Sequence, residues 1–120
     1  MAGSFCVSIT SSKDNTGKAT VGFAMANAAV MSGKDTMVFL SVEGVRLSQR
    51  GYADGIQEQG FPPLKELIAG FAKAGGKIYV CSVCFKTRGL AENNLVAGAT
   101  VEEGMKLIEF LSRGAPCISY

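Results

Sequence analysis

The chain alternates between two kinds of apolar pattern. Short runs of β-formers recur at Phe5-Cys6-Val7-Ser8-Ile9-Thr10, Thr36-Met37-Val38-Phe39-Leu40-Ser41, Lys77-Ile78-Tyr79-Val80-Cys81 and Pro116-Cys117-Ile118-Ser119-Tyr120. Each reads as a strand. The second run is almost continuously apolar, as a parallel strand covered on both faces requires. Between the runs lie segments of helical character. Lys18 to Ser32 is rich in Ala, Met and Val, stops at Gly33, and has Asn15 or Thr16 as its cap. Pro62-Pro63 opens a second helix, in which Leu64, Leu67, Ile68, Phe71 and Ala72 fall on one face before Gly75-Gly76. Leu90 to Leu95 reads as a short helical turn. A last helix is expected from Val101 to Ser112. Thr100 and Glu103 are spaced as a capping box, and Val101, Met105, Ile108 and Leu111 or Ser112 line its face.

Alternating strands and helices predict an α/β fold in three layers, with a mostly parallel sheet and helices on both faces. Ligands of such sheets sit beyond the carboxyl ends of the strands. Three segments fall there: Ser11 to Gly17, the long glycine-containing excursion from Val42 to Phe61, and Ser82 to Gly89. Long loops in compact domains are usually functional or interfacial.

A length of 120 residues predicts a single domain over 1–120. Charged residues make up 18% of it, below the usual share of about a quarter, which hints at surface covered by other subunits. The net charge is +2 and the 12 basic residues are scattered, so no nucleic acid or membrane partner is expected. Met1-Ala2-Gly3-Ser4 lacks a basic leader and no apolar run nears a membrane span, so the cytoplasm is the expected compartment. Histidine is absent, which removes the commonest general base and metal ligand.

The candidate chemistry is carried by cysteine. Cys81 and Cys84 form a C-x-x-C pair at the end of a predicted strand. A reversible disulfide is one reading, although the aromatic-Cys-Gly-Pro-Cys context is missing. Half of a four-thiolate metal site is a second, but its other ligands, Cys6 and Cys117, each stand alone in a strand. A reactive thiol at the sheet edge is a third, with Lys86 and Arg88 near enough in sequence to favour a thiolate. The plain reading makes both cysteines small buried hydrophobes. Cys6 and Cys117 are expected to be buried core thiols. No metal and no cofactor is expected.

The first loop carries Gly17-Lys18 before a helix, but the glycine a phosphate loop needs falls at Ser12, and Ala19 follows the lysine. A small anion at that helix N-terminus stays open, with Ser11, Asn15 and Thr16 as candidate ligand-binding residues. Glu43 and Arg88 join them as candidates near the cysteine segment.

The stretch Lys77-Ile78-Tyr79-Val80-Cys81-Ser82-Val83-Cys84-Phe85-Lys86-Thr87-Arg88-Gly89-Leu90 resembles the cysteine segment of the DsrE/DsrF-like family, which includes YchN-like and TusD-like sulfur-relay proteins. The Ser/Thr-rich loop after the first strand, Glu43-Gly44-Val45 and Leu95-Val96-Ala97-Gly98-Ala99 agree in order and spacing. The resemblance implies a sheet of about five strands and a homotrimer or homohexamer. It implies a persulfide on Cys81, eight residues before Gly89, exchanged with sulfur-donor and sulfur-acceptor proteins. Cys84 matches a second cysteine of the YchN-like branch and is a candidate resolving thiol. The leading expectation is thus a persulfide carrier or thiol-redox protein, a possible sulfurtransferase. The alternative is an oligomeric module that binds a small ligand or nucleotide, with structural cysteines only.

Overall fold

A computed structural model describes residues 3–120; the reading of the N-terminus drawn from Met1 and Ala2 lies outside the described residues. Five strands form one sheet: β1 (Ser4–Ile9), β2 (Asp35–Leu40), β3 (Lys77–Cys81), β4 (Ala99–Glu102) and β5 (Cys117–Ser119), in the order β4-β3-β2-β1-β5. Every neighbouring pair is parallel, with registers such as Val7↔Val38, Val38↔Ile78 and Ile78↔Ala99. Four helices connect or follow the strands: α1 (Thr16–Met31), α2 (Leu64–Lys73), α3 (Ser82–Thr87) and α4 (Gly104–Leu111).

The near-continuous apolar strands are explained by two covered faces. Alternate side chains of a strand point to opposite sides. Val7, Ile9, Val38, Leu40, Ile78 and Val80 therefore join Phe23 of α1, Phe71 of α2 and Phe85 of α3 in the larger core. Cys6, Met37 and Phe39 face the other way and pack with Phe110 of α4. Phe23 and Phe71 meet edge to face with centroids 6.0 Å apart, which locks α1 to α2 above the sheet. Asn15 caps α1, its Oδ1 accepting the Lys18 N–H at 3.0 Å.

The C-terminal third departs from the sequence reading. A fourth strand, Ala99–Glu102, occupies the start of the expected last helix. Edge pairing of Thr100 and Val101 with Tyr79 and Val80 satisfies backbone groups that a helix would otherwise use. Thr100 is thus in β4 and the capping box does not form; Glu103 stands at the N-cap of α4 without a side-chain cap bond. The apolar face expected on this helix also turns outward. Met105 and Ile108 are 69% and 61% exposed, and Phe110 is the buried anchor. The segment after Cys81, expected as a loop, holds the two-turn helix α3.

The expectation of a buried Cys117 is overturned, because Cys117 is exposed. It lies on β5, a three-residue edge strand, and α4 covers Cys6, Met37 and Phe39 without reaching it. Cys6 is fully buried.

Candidate functional site: the cysteine helix at the carboxyl edge of the sheet

Cys81 is the last residue of β3, opposite Glu102 of β4, and at the same time the N-cap residue of α3. Its backbone (φ −58°, ψ 118°) makes the turn from strand to helix. The side chain is half-buried and packs against both cores. Cys84 sits one turn on, also half-buried, against the larger core. Cap and third helical residue are the two positions at a helix start whose groups approach each other. The local fold therefore brings the two thiols to one side of the first turn. Phe85 fixes the helix in the core at 1% exposure, while Val83 stands 65% exposed beside the pair.

Polar contacts hold α3 at both ends. The buried Ser82 hydroxyl donates to Glu103 Oε2 at 2.8 Å. At the other end Arg88 Nε donates to Glu43 Oε2 at 2.9 Å and Arg88 Nη1 to the Cys84 carbonyl at 3.3 Å. Arg46 Nε donates to Glu43 Oε1 at 2.8 Å. The neighbouring Arg46, and then Arg88, hold the Glu43 carboxyl below the usual carboxylate range. A lowered folded-state value means that this clamp is fully present above the ordinary carboxyl pKa. It is lost as pH falls through the lowered value. Glu43 and Arg88 are thus paired with each other, and the Arg88 charge is already compensated. Lys86, the other basic neighbour, is exposed on α3.

The backbone that presents Glu43 is unusual. Val42, half-exposed and β-branched, has φ 53° in the left-handed region. Bulky residues adopt such angles rarely, and they cluster at functional sites. A 3-10 turn over Val42–Ser48 follows, with Gly44 pressed against the Ile9 carbonyl at the end of β1.

Ser11, Asn15 and Thr16 belong to a separate network. Ser12 Oγ lies 3.0 Å from Tyr52 Oη, and Lys13 Nζ sits 4.5 Å from the centroid of that ring. Thr16 Oγ1 donates to Glu58 Oε2 at 2.7 Å, and Asn15 caps α1. The Glu58 carboxylate already lies at the helix N-terminus that the sequence left open to a small anion. Ser11 is buried. These contacts tie the first loop to the long excursion rather than to the cysteines. A shallow cleft between the excursion and α2, lined by Leu47, Ala53, Asp54, Lys65 and Ile68, also excludes the cysteines.

Among the supporting residues, sequence reasoning missed Ser82 and Glu58 and gave Glu103 another role, as half of a capping box. Their partners lie 21 residues away for Ser82–Glu103 and 42 for Thr16–Glu58, so no local spacing betrays them. Cys6 and Cys117 face each other across β1 and β5, two and three strand positions from the β3 that carries Cys81, and among the described residues no three His, Cys, Asp or Glu side chains cluster as a metal site. Among the described residues no helix is long and apolar enough to cross a membrane.

Comparison with known proteins agrees with this architecture. The uncharacterized protein MJ0760 of Methanocaldococcus jannaschii is 31% identical over 104 residues, 87% of this chain. The chain spans 38% of that relative's length. A second uncharacterized protein of that organism, MJ0989, is 26% identical over 97% of this chain and 98% of its own. Among solved structures, the ychN protein from E. coli superposes with a TM-score of 0.80 over the whole of both chains at 16% identity. Protein MTH1491 of unknown function from Methanobacterium thermoautotrophicum gives 0.73 over the whole of both chains at 12% identity. Both likenesses are of fold. The DsrE/DsrF-like family model matches residues 3–120, and the chain belongs to that family.

Proposed function

We propose that this protein carries sulfane sulfur as a persulfide on Cys81, with Cys84 as the thiol that resolves it. The observation that carries this reading is the position of Cys81. It is half-buried at the carboxyl end of a central-sheet strand, with a second thiol one helical turn away on a helix pinned at both ends. A carrier needs a nucleophilic sulfur at an accessible edge, and it needs no histidine.

The chemistry closes without a cofactor. The Cys81 thiolate attacks the terminal sulfur of a donor protein's persulfide; the donor's thiolate leaves and Cys81 holds the persulfide. An acceptor protein's thiolate then takes the terminal sulfur and Cys81 leaves as thiolate. In the absence of an acceptor, the Cys84 thiolate attacks Sγ of the Cys81 persulfide. A Cys81–Cys84 disulfide forms and hydrosulfide departs. The test is intact-mass analysis after incubation with a persulfide donor. The unmodified chain should gain one sulfur and then lose it with two hydrogens as the disulfide forms. Cys84→Ser should retain the added sulfur, and Cys81→Ser should gain none. Equal loading of Cys81→Ser sets the proposal aside.

The carrier works as a homo-oligomer, a trimer or a hexamer built from two trimers. Support comes from the low charge content and from the outward-facing Met105 and Ile108 on α4. Light scattering at micromolar concentration should give a multiple of the 12.5 kDa chain mass, and a monomer mass removes this part of the reading.

A further inference from the structure

The carrier reading uses two of the four cysteines. Cys6 lies in the middle of β1, fully buried, and Cys117 opens β5, exposed. They are direct register partners on neighbouring parallel strands, and the Cys6 N–H donates to the Pro116 carbonyl at 2.9 Å at this point of the ladder. Paired residues on adjacent strands send their side chains to the same face. Neighbouring strands lie about 4.8 Å apart, inside the roughly 4.4–6.8 Å range of Cα separations that a disulfide spans. The other buried neighbours of Cys6 are Met37, Phe39, Phe110 and Ala115, none of which competes as a nucleophile.

We propose that Cys6 and Cys117 form a second thiol–disulfide site, distinct from the Cys81–Cys84 pair, whose oxidants are small-molecule disulfides. The two thiols have unequal roles. Burial, and then the facing Cys117 thiol, push the Cys6 thiol far above the usual range, so Cys6 stays protonated and out of reach of reagents. Cys117 meets solvent and reacts first. Its thiolate attacks one sulfur of the small disulfide, the S–S bond breaks, and one small thiolate leaves. The Cys6 sulfur then attacks Sγ of Cys117, the second small thiolate is expelled, and the Cys6 proton passes to that departing thiolate, which carries it to solvent. Two electrons pass from the protein to the small disulfide, and the new bond ties the edge strand β5 to the sheet at β1.

The experiment uses the full chain carrying Cys81→Ser and Cys84→Ser, treated with an aromatic disulfide whose released thiolate is coloured. The expected result is two equivalents of thiolate per chain. The first comes rapidly from Cys117 and the second more slowly, in a first-order step independent of protein concentration. The product should carry no adduct, weigh two hydrogens less than the starting chain, and yield a Cys6–Cys117 linked peptide. Adding Cys6→Ala should stop the reaction at one equivalent with the adduct retained. Adding Cys117→Ser, a change at an exposed position that leaves the core intact, should abolish both phases. In the chain with all four cysteines, peptide mapping should find the same linkage. A Cys117 adduct that persists until the protein unfolds, or chains joined to one another through Cys117, overturns the proposal. Sulfur loading on Cys81 is measured on different thiols, so either reading can fail while the other stands.

Discussion

Gly44→Ala should destabilise the protein by about 3 kcal/mol or more and lower its Tm by roughly 10–20 °C. A Cβ at this position would run into the backbone carbonyl of Ile9, and the next atoms it would meet are also backbone. No side-chain rotation relieves that contact. The Val42–Ser48 turn must lift away from the end of β1, or the strand end must move. The effect reaches the candidate site, because Glu43 precedes Gly44 and holds Arg88 at the end of α3. Gly55→Ala is the matching control. Gly55 has φ 84° but nothing within 4 Å of an added Cβ, so it should cost only about 1 kcal/mol of backbone strain. Denaturant unfolding of both variants decides the matter. Equal, small losses would mean that the close approach of Gly44 to Ile9 is readily relaxed.

Phe71→Ala is the second large effect, at about 3–5 kcal/mol. Phe71 is fully buried between α1 and the sheet, edge-on to Phe23, and its ring lies directly against Gly76 where α2 ends. Removing it leaves a ring-sized hole in the larger core, bounded on one side by backbone that cannot collapse into it. Total stabilities of such domains are about 5–15 kcal/mol, so the variant should be marginal at 37 °C. Loss of less than about 2 kcal/mol in a urea melt would show that α1 and α2 close the gap. Phe71→Leu, which keeps most of the volume, should recover more than half of the loss.

Much of this molecule was legible along the chain. The apolar runs of β1, β2, β3 and β5 could be read because a strand covered on both faces has no polar side to hide. Helix α2 could be read because its buried stripe has helical spacing and proline and glycine mark its ends. Cys81 could be placed at a strand end because that boundary is local. The identity of the family was equally available, since it rests on residue order.

The tertiary structure decided the rest, for a common physical reason: those features depend on partners far away in sequence. Ala99–Glu102 is a strand because the open edge of β3 accepts it; Thr100 and Val101 suit a strand, but a run of four residues is too short to declare itself beside the helical pattern that follows. Residues Ser82–Thr87 turn into a helix where Phe85 finds the core. Met105 and Ile108 face outward because Phe110 takes the inward place. Glu43 and Arg88, both read as groups for a ligand, bind one another across 45 residues. Cys117 looked like a core residue by its apolar neighbours, and only the strand order, which puts β5 at an edge beside Cys6, exposes it.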